Sequence, residues 1–379
     1  MIGPVTSLAD ALQSARVFVD GDWVETKDQD ADGDVRLIQL ADVGDGCYLD
    51  KSSRFLTSKK ARELRCTFLE PGDVLVARMP DPLGRACIFP GDSKRSITVV
   101  DVCIIRPNPD KHDARWLMHC LNAPVCRNSM AGFAMGATRS RISRRNLGKI
   151  KIPLLSLPEQ RRIAKVLDCA ETLRAKRRAT LVQLDTLTQS IFLDMFGDPR
   201  KKGSTGRTPA SRRSLGGLTR IRTGKLDANA ADEEGAYPFF TCAVEPLRIN
   251  TPAFDCKAVL VAGNGDLNVK YYEGKFNAYQ RTYVIESLNE SVLVPRFLYA
   301  FLDLYVSELR KQAIGGVIKY IKLPYLTDAE VQLPSLDSQR SFALRVAAVE
   351  KLKTAHCASL VGFDALFSSL QHRAFKGEL

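Results

Sequence analysis

The 379-residue sequence lacks a paired-cysteine metal motif and any cluster of histidines. Cys120 and Cys126 come closest to a pair, but they lack the histidine spacing of a zinc site. Cys87 and Cys103 lie in apolar, strand-like runs, where a free cysteine behaves as a small hydrophobic side chain. We therefore expect reduced thiols, no metal site and a cytoplasmic location. The ten cysteines are Cys47, Cys66, Cys87, Cys103, Cys120, Cys126, Cys169, Cys242, Cys256 and Cys357.

The motifs of common nucleotide-dependent enzymes are also absent. The glycine-rich residues 263–266 lack the lysine and hydroxyl of a phosphate-binding loop, so they are predicted to form a turn. No Rossmann-type glycine fingerprint follows a strand. No apolar run approaches bilayer length, and the N-terminal residues lack a basic-then-apolar leader. We expect neither catalysis by this chain, nor membrane insertion, nor secretion.

Clustered positive charge is what the sequence has instead. The formal net charge is +12 and the pI is near 9.2. Each phosphate that a protein neutralises releases condensed counterions, so clustered cations at two related places favour a nucleic-acid partner. The first cluster is Arg139, Arg141, Arg144, Arg145, Lys149 and Lys151; the second is Arg200, Lys201, Lys202, Arg207, Arg212, Arg213, Arg220, Arg222 and Lys225.

The second half of the chain repeats the plan of the first. Gln160-Arg161 and Gln339-Arg340 are 179 positions apart, each near the start of a long helical pattern. The same offset relates Gly136, Ile142 and Leu147 to Gly315, Ile321 and Leu326. One offset shared by two separate stretches indicates a duplication, which places two equivalent units on one molecule. Such a molecule is suited to binding a partner at two points.

Each half begins with a mixed unit in which strands and helices interleave without a regular βαβ rhythm, which predicts an α+β fold. In the first unit we predict strands at 35–43, 72–78, 85–89 and 96–107 and helices at 58–66 and 114–130, with a helix break at 122–125. In the second we predict strands at 237–241, 258–263, 269–274 and 281–286 and a helix at 294–312. Residues 200–214 are predicted to be a flexible linker.

A long helix follows each unit, with apolar positions at alternating three- and four-residue spacing, which is typical of helices packed along one another. Pro158 suits a first helical turn, and Gly197-Asp198-Pro199 ends the first helix. The predicted helix–helix seam of the first is Ile163, Val166, Ala170, Leu173, Arg177, Thr180, Leu184, Leu187 and Ile191. That of the second is Phe342, Arg345, Val349, Leu352, His356, Ser359, Phe363, Leu366 and Leu370.

Polar residues interrupt both seams at their middles. Chain connectivity requires the two helices to run antiparallel if they pack together, which would bring the two middles to one place near a pseudo-twofold axis. We therefore predict that Arg177 and His356 lie close together, because a polar layer typically sets the register of a coiled coil.

Residues suited to nucleic-acid contact lie just before each long helix and on loops of the second unit. Arginine forks can bind guanine edges and phosphates, and asparagine or glutamine can bind adenine. The candidates are Arg139, Arg141, Arg144, Arg145, Lys149, Asn264, Asn268, Lys270, Tyr271, Gln280, Arg281, Lys319, Tyr320 and Lys322.

Four segments resemble the specificity subunit of type I restriction-modification systems. They are IPLLSLPEQRRI at the start of the first long helix, MFGDP at its end, LPSLDSQR at the start of the second helix, and RAFKGEL. The alternation of variable unit and long helix covers the whole chain. Asp337-Ser338 stands where the first copy has Pro158-Glu159, so the two copies are not interchangeable.

The resemblance implies two target-recognition domains, each binding one half of a bipartite DNA site and separated by antiparallel helices. Residues 1–152 and 199–333, the latter with its linker, would be these domains, and 153–198 and 334–379 the spacer helices. The resemblance also implies two methyltransferase subunits that carry S-adenosylmethionine, and a motor-nuclease subunit. In such a complex this chain would be non-catalytic and hold no cofactor.

Other functions remain open. The same architecture could serve a fused or type IIB-like enzyme or an orphan adenine methyltransferase. A coiled-coil adaptor whose basic patches bind acidic proteins is a different class, and a stand-alone nuclease or methyltransferase is a third. Sequence-selective binding to a bipartite duplex would separate the first group from the adaptor, and activity of the chain alone would support the third class.

Overall fold

The structure, a computed structural model, describes residues 4–134, 140–201 and 206–379. The chain divides into two compact units. Unit 1 is Met1–Lys176 together with Leu360–Leu379, and unit 2 is Arg177–Ser359. Within the described ranges, no helix is both long enough and apolar enough to span a membrane.

Unit 1 combines a four-stranded sheet, a three-stranded sheet and a two-stranded ribbon with short helices. Its strands are β1 (Val5–Ser7), β2 (Val17–Asp20), β3 (Val35–Ile38), β4 (Phe55–Leu56), β5 (Val74–Ala77), β6 (Ala86–Ile88), β7 (Arg95–Thr98), β8 (Val102–Arg106) and β9 (Lys151–Pro153). Its shorter helices are α1 (Leu8–Ala11), α2 (Ser58–Glu63), α3 (Ala114–Asn122), α4 (Pro124–Gly132) and α5 (Arg144–Leu147). The sheets have strand orders β2-β8-β5-β6 and β4-β3-β7.

Two predicted elements of unit 1 are each divided in the structure. The run 96–107 forms β7 and β8, with a turn at 99–101 between them. The helical run 114–130 forms α3 and α4, because Pro124 cannot donate a backbone hydrogen bond and instead occupies the first turn of α4. The predicted helix break at 122–125 is thus confirmed.

Unit 2 is built on a six-stranded sheet of order β11-β16-β14-β15-β12-β13. Its strands are β10 (Ala210–Ser214), β11 (Thr219–Thr223), β12 (Tyr237–Phe240), β13 (Leu247–Ile249), β14 (Phe254–Ala262), β15 (Val269–Ala278), β16 (Thr282–Ser287) and β17 (Glu330–Pro334). Helix α7 (Pro295–Gln312) buries one face against β14 and β15, and α8 (Leu323–Thr327) precedes β17. Mixed strands and helices in both units confirm the α+β prediction.

The predicted flexible linker is wrong over its last five residues. Residues 210–214 form β10, which pairs antiparallel with β17 from Ala210 opposite Pro334 to Ser214 opposite Glu330. All five side chains are exposed, so backbone hydrogen bonds rather than an apolar face hold the strand. Unit 1 has a matching ribbon, in which β1 pairs antiparallel with β9.

One pair of repeated positions, Ile142 and Ile321, forms the same backbone contact in both units, whereas Gly136 lies outside the described residues. Ile142 N donates to Arg78 O at 3.0 Å, and Ile321 N donates to Gly263 O at 2.9 Å. Both isoleucines are buried, and both acceptors directly follow a central strand. The 179-residue offset therefore relates one backbone contact that occurs in both units.

A buried glutamine is a second shared device. Gln339 Oε1 accepts from Val294 N, the N-cap of α7, at 2.8 Å, while its Nε2 donates to Val292 O at 3.0 Å and to Pro334 O at 2.9 Å. Gln160 likewise accepts from Asp113 N, the N-cap of α3, at 3.0 Å and donates to Leu155 O at 3.0 Å. Each glutamine ties the start of a long helix to the start of the shorter helix beside it.

The two long helices, α6 (Leu157–Phe196) and α9 (Leu336–Lys376), run antiparallel within each unit. In unit 1, Arg174 Nε lies 2.6 Å from Asp364 Oδ1, and Gln371, further along α9, contacts the backbone of α3. In unit 2, Arg177 hydrogen bonds His356, and Lys353 Nζ pairs with Asp185 Oδ1 at 2.5 Å. The predicted contact between Arg177 and His356 is therefore confirmed.

Half of the predicted seam is displaced by one residue. The seam positions that recur every seven residues, such as Ile163, Leu184, Phe342 and Val349, are buried as predicted. The second inward-facing position in each heptad, however, lies four residues after these and not three. Leu173, Leu187, Leu352 and Leu366 are exposed, and Val166 is half-buried. The inner positions are Leu167, Arg174, Leu181, Thr188, Val346, Lys353, Leu360, Phe367 and Ala374. Three of these inner positions, Arg174, Thr188 and Lys353, are polar, and they hid the true spacing.

The polar layer at Arg177 and His356 should cost unit 2 stability. Replacing both half-buried residues by leucine is expected to raise the free energy of unfolding of unit 2 by about 1 kcal/mol. The reason is that two packed apolar side chains often stabilise a protein more than the buried polar pair they replace. Either single leucine variant should lower it, since it leaves one polar group facing an apolar partner. Thermal unfolding of the four proteins measures the coupling; a double variant less stable than both single variants would contradict this expectation.

Candidate nucleic-acid interface

Four loops of unit 2 that are distant in sequence meet in one cluster. Gly263 N donates to Arg281 O at 2.8 Å, and Gly265 N donates to Lys319 O at 2.9 Å. Asn268 Nδ2 donates to Cys242 O at 2.8 Å, and Tyr320 forms a backbone bridge with Asn264. We call this set, residues 241–246, 263–268, 279–281 and 314–322, the unit 2 loop cluster. It unites the predicted candidates Asn264, Asn268, Gln280, Arg281, Lys319, Tyr320 and Lys322.

The loop cluster presents positive charge to solvent. Arg281, Lys319 and Lys322 are exposed, and within the described part of the chain their side chains have no carboxylate partner. The backbone contacts above fix the loops, so the cations extend from an ordered frame. Cations that are not neutralised by the protein's own acids remain available for phosphate groups.

The remaining unit 2 candidates differ in their surroundings. Lys270 is half-buried, hydrogen bonds Asn268 Oδ1, and its pKa is lowered by burial. Tyr271 packs toward α7, with the Arg296 guanidinium 4.1 Å above its ring, and burial raises its pKa. Gln280 Nε2 donates to Asp227 Oδ2 at 3.0 Å. Lys270 and Tyr271 point to opposite faces of β15, so only one of them can face a shared ligand.

The basic segment of unit 1 is fixed in part by internal contacts. Arg141 pairs with Asp101 at 3.1 Å, and Arg144 Nη1 donates to Phe18 O at 3.0 Å. Lys149 Nζ lies 5.8 Å from the centre of the Phe133 ring. Arg145 is exposed and pairs with no carboxylate in the described ranges. Arg139 lies outside the described residues.

Arg78 is a buried cation that the sequence patterns did not single out. Its side chain pairs with Asp20 at 3.1 Å and donates to Val100 O, and burial lowers its pKa. Its carbonyl receives the Ile142 N–H, which fixes the start of the basic segment. Arg78 ends the predicted strand 72–78, where apolar periodicity gave no sign of an internal ion pair.

Four arginines of the second basic cluster form ion pairs, and two of these pairs use acids that are distant in sequence. The pairs are Arg200–Asp198 at 2.7 Å, Arg207–Asp194 at 3.1 Å, Arg212–Glu330 at 3.6 Å, and Arg222–Glu286. Proximity in sequence therefore overstated the free charge of this stretch. The loop cluster, rather than residues 200–225, is the stronger candidate surface of unit 2.

Among the described residues, no three histidine, cysteine, aspartate or glutamate side chains are grouped so as to hold a metal ion. The sulfurs of Cys120 and Cys126 are 4.0 Å apart and buried between α3 and α4. Cys87 and Cys103 are buried in strands, as predicted.

Sequence comparisons match both halves of the chain to one family. Residues 21–181 and 211–356 match the type I restriction modification DNA specificity domain. A 153-residue segment is 46% identical to the type I restriction enzyme EcoDI specificity subunit of Escherichia coli, covering 40% of this chain and 32% of that protein. A 309-residue segment is 24% identical to a Methanocaldococcus jannaschii protein named as the MjaX specificity subunit of a type I restriction enzyme, covering 74% and 72%. The match thus spans about a third of the length of the first relative.

Solved structures show the same fold. The S subunit of a type I restriction-modification system from M. genitalium aligns with a TM-score of 0.59 at 16% identity, covering 98% of this chain and 96% of that one. A chain from a study of complex assembly and conformational transition of the type I R-M system aligns with a TM-score of 0.63 at 16% identity, covering 99% and 98%.

Proposed function

Because the chain belongs to the family of the type I restriction modification DNA specificity domain, with two copies of that domain, we propose that it is the non-catalytic DNA-recognition subunit of a type I restriction-modification complex. Each unit binds one half of a bipartite DNA site. Methyltransferase subunits, expected to be two and to carry S-adenosylmethionine, dock on the long helices, and a motor-nuclease subunit completes the complex. The site of action is the cytoplasm.

One observation carries this proposal: the two units share a backbone frame but present unlike side chains from it. Beside the equivalent contacts of Ile142 and Ile321, Arg141 in unit 1 stands where unit 2 has Tyr320. Likewise Ser143 stands where unit 2 has Lys322. The same backbone arrangement therefore carries different side chains in the two units. Different side chains suit two different half-sites, because contacts to base edges determine which sequence is recognised.

The proposed division of the chain follows from this assignment. Residues 1–152 and 199–333 are the two recognition domains, and residues 153–198 and 334–379 are the spacer helices. Unit 1 of the fold also includes Leu360–Leu379, so the recognition domains and the compact units are different partitions of the chain. The contact residues are the predicted basic and polar candidates, with the loop cluster as the principal surface of unit 2.

Methylome sequencing tests the function directly. Cells with and without the gene are compared, and a bipartite methyladenine motif is expected in the first and absent from the second. If deletion of the gene removes no methylated motif, and the assembled complex prefers no duplex, the adaptor alternative is favoured. A methyladenine motif that depends on the gene in cells that do not cut unmodified DNA would favour the type IIB-like or orphan methyltransferase alternative, and the neighbouring genes would identify which of the two applies.

Single-charge variants measure the phosphate contacts of the loop cluster. Arg281→Ala, Lys319→Ala and Lys322→Ala should each reduce the slope of log affinity against log salt by about 1, since one phosphate contact releases about one counterion. Lys275→Ala removes an exposed charge from the opposite end of β15 and serves as the matched control. The slope is measured with the assembled methyltransferase complex on its bipartite duplex. Equal slopes for the loop variants and the control would refute the assignment.

A further inference from the structure

Two adjacent aliphatic side chains project from the unit 2 loop cluster. Val317 is fully exposed and Ile318 is 63% exposed. Single exposed apolar residues are common on protein surfaces, but two neighbours at the tip of a loop form a protrusion rather than part of a mixed surface. Water contact with both side chains is unfavourable, and a partner that covers them would recover that free energy.

The loop that carries them has an ordered base. Ile314 and Tyr320 exchange two backbone hydrogen bonds, of 3.0 and 2.8 Å, which close the loop at its base. Gly315 has a φ of +120°, and a Cβ added there would lie 2.5 Å from Ile318 O, so a glycine is required. Lys319 O and Ile321 N then anchor the loop to the turn after β14. The β-branched side chains of Val317 and Ile318 are themselves stiff, so little side-chain entropy is lost on contact.

The charge around the tip identifies the class of partner. Residues 310–327 contain four cations and no acid. Arg310 approaches Asp266 at 3.3 Å and Lys311 pairs with Glu308 at 2.7 Å, which leaves Lys319 and Lys322 beside the tip with no carboxylate partner in the described ranges. An apolar tip between two such lysines fits a polyanion whose phosphates flank an apolar interior. Duplex DNA has this arrangement, because its stacked bases lie between two phosphate backbones.

We infer that Val317 and Ile318 form an apolar wedge that enters the DNA at the half-site bound by unit 2 and unstacks one base step. The inference rests on the proposed function. Lys319 and Lys322 hold the flanking phosphates while the two aliphatic side chains replace stacking between neighbouring bases. Aliphatic wedges of this kind partially unstack and kink a duplex. Because pyrimidine–purine steps unstack most easily, the wedge also adds a sequence preference at a step that no polar side chain contacts.

The wedge can be tested with 2-aminopurine, a base whose fluorescence rises when it is unstacked. The full chain, assembled with its methyltransferase subunits, is bound to duplexes that carry the probe at successive positions of the unit 2 half-site. We expect a fluorescence rise at one step. The Val317→Ser/Ile318→Ser variant should abolish that rise and bind about 10-fold more weakly. Val317→Ile/Ile318→Val, which keeps the aliphatic volume, should restore both signals.

The control is Leu288→Ser, which removes an exposed aliphatic side chain just after the far end of β16 and should change neither signal. Unchanged fluorescence and affinity in the serine variant would overturn the wedge while leaving site-selective DNA binding, and so the proposed function, in place. Loss of methyltransferase subunits from the serine variant on size-exclusion chromatography would overturn it in favour of a protein contact. If the unaltered complex shows no preference for any duplex, the proposed function itself fails and the wedge fails with it.

Discussion

Replacing Gln339 by leucine is expected to lower the free energy of unfolding of unit 2 by about 3 to 5 kcal/mol. The leucine would remove the hydrogen-bond partner of three backbone groups: the buried Pro334 carbonyl and the partly buried Val294 N–H and Val292 carbonyl. Each buried polar group that loses its hydrogen bond costs about 1 to 3 kcal/mol. For a unit of this size the loss corresponds to a fall in melting temperature of roughly 10 °C.

The isosteric change Gln339→Glu separates hydrogen bonding from packing. Glutamate fills the same volume but cannot donate to the two carbonyl groups, and it places a carboxyl group in a fully buried position. We expect at least as large a loss as with leucine. Gln183→Leu, on an exposed position of α6, is the control and should change stability by less than about 0.5 kcal/mol.

Hydrogen exchange resolved by peptide locates the effect. Protection should fall across unit 2 in the Gln339 variants, beginning at the start of α7. The matching Gln160→Leu variant should weaken protection at the start of α3 in unit 1. If the Gln339→Leu variant is as stable as the unaltered protein, the hydrogen bonds of Gln339 do not stabilise the contact between the starts of α7 and α9.

Phe342→Ala should be the most damaging single truncation on α9, with an expected loss of about 3 to 5 kcal/mol. Phe342 is fully buried, and its ring centre lies 5.6 Å from the rings of both Phe192 and Phe196. Phe297 of α7 packs against the same two rings at 5.5 and 5.0 Å. Four phenylalanines thus join both long helices to α7, and removing one leaves a cavity that the other three cannot fill.

Two further variants define the cause. Phe342→Leu keeps much of the volume and should lose less than half as much stability. Leu344→Ala lies two residues on, is largely exposed, and should be close to neutral. Denaturant unfolding followed by circular dichroism provides the free energies. Equal losses at Phe342 and Leu344 would show that helix propensity, rather than the aromatic cluster, controls the stability of this part of α9.

The sequence predicted the repeat, most elements and the polar layer because these depend on short-range patterns. Strand and helix periodicity is local, and Arg177 and His356 each interrupt an apolar pattern visible within a few turns. The seam was half wrong because Leu173, Leu187, Leu352 and Leu366 offered a better apolar match than the true inner positions, which include Arg174, Thr188 and Lys353. A charged side chain can occupy an inner helical position when its head pairs at the edge, as Lys353 does with Asp185.

Long-range pairing accounts for what the sequence could not predict. The strand at 210–214 exists because residues 330–334 lie beside it, and nothing in its own exposed side chains indicates this. The charge of residues 200–225 was overestimated because Glu286 and Glu330 are distant in sequence from the arginines they neutralise. The loop cluster depends on the strand order of the sheet, which brings Arg281 beside the turn at 263–266.

The composition of unit 1 has a consequence for biosynthesis. Residues 360–379 belong to unit 1, where Phe367, Leu370 and Ala374 pack against its core, yet all of unit 2 precedes them in the chain. Domains usually fold in the order in which the ribosome makes them, at about 5 to 20 residues per second. Here the order is reversed: unit 2 is complete first, and unit 1 waits roughly 10 to 40 s longer for its final helical segment. During translation the nascent first unit therefore exposes the apolar surface that Phe367, Leu370 and Ala374 later cover, and a chaperone that binds apolar segments would protect it in that interval.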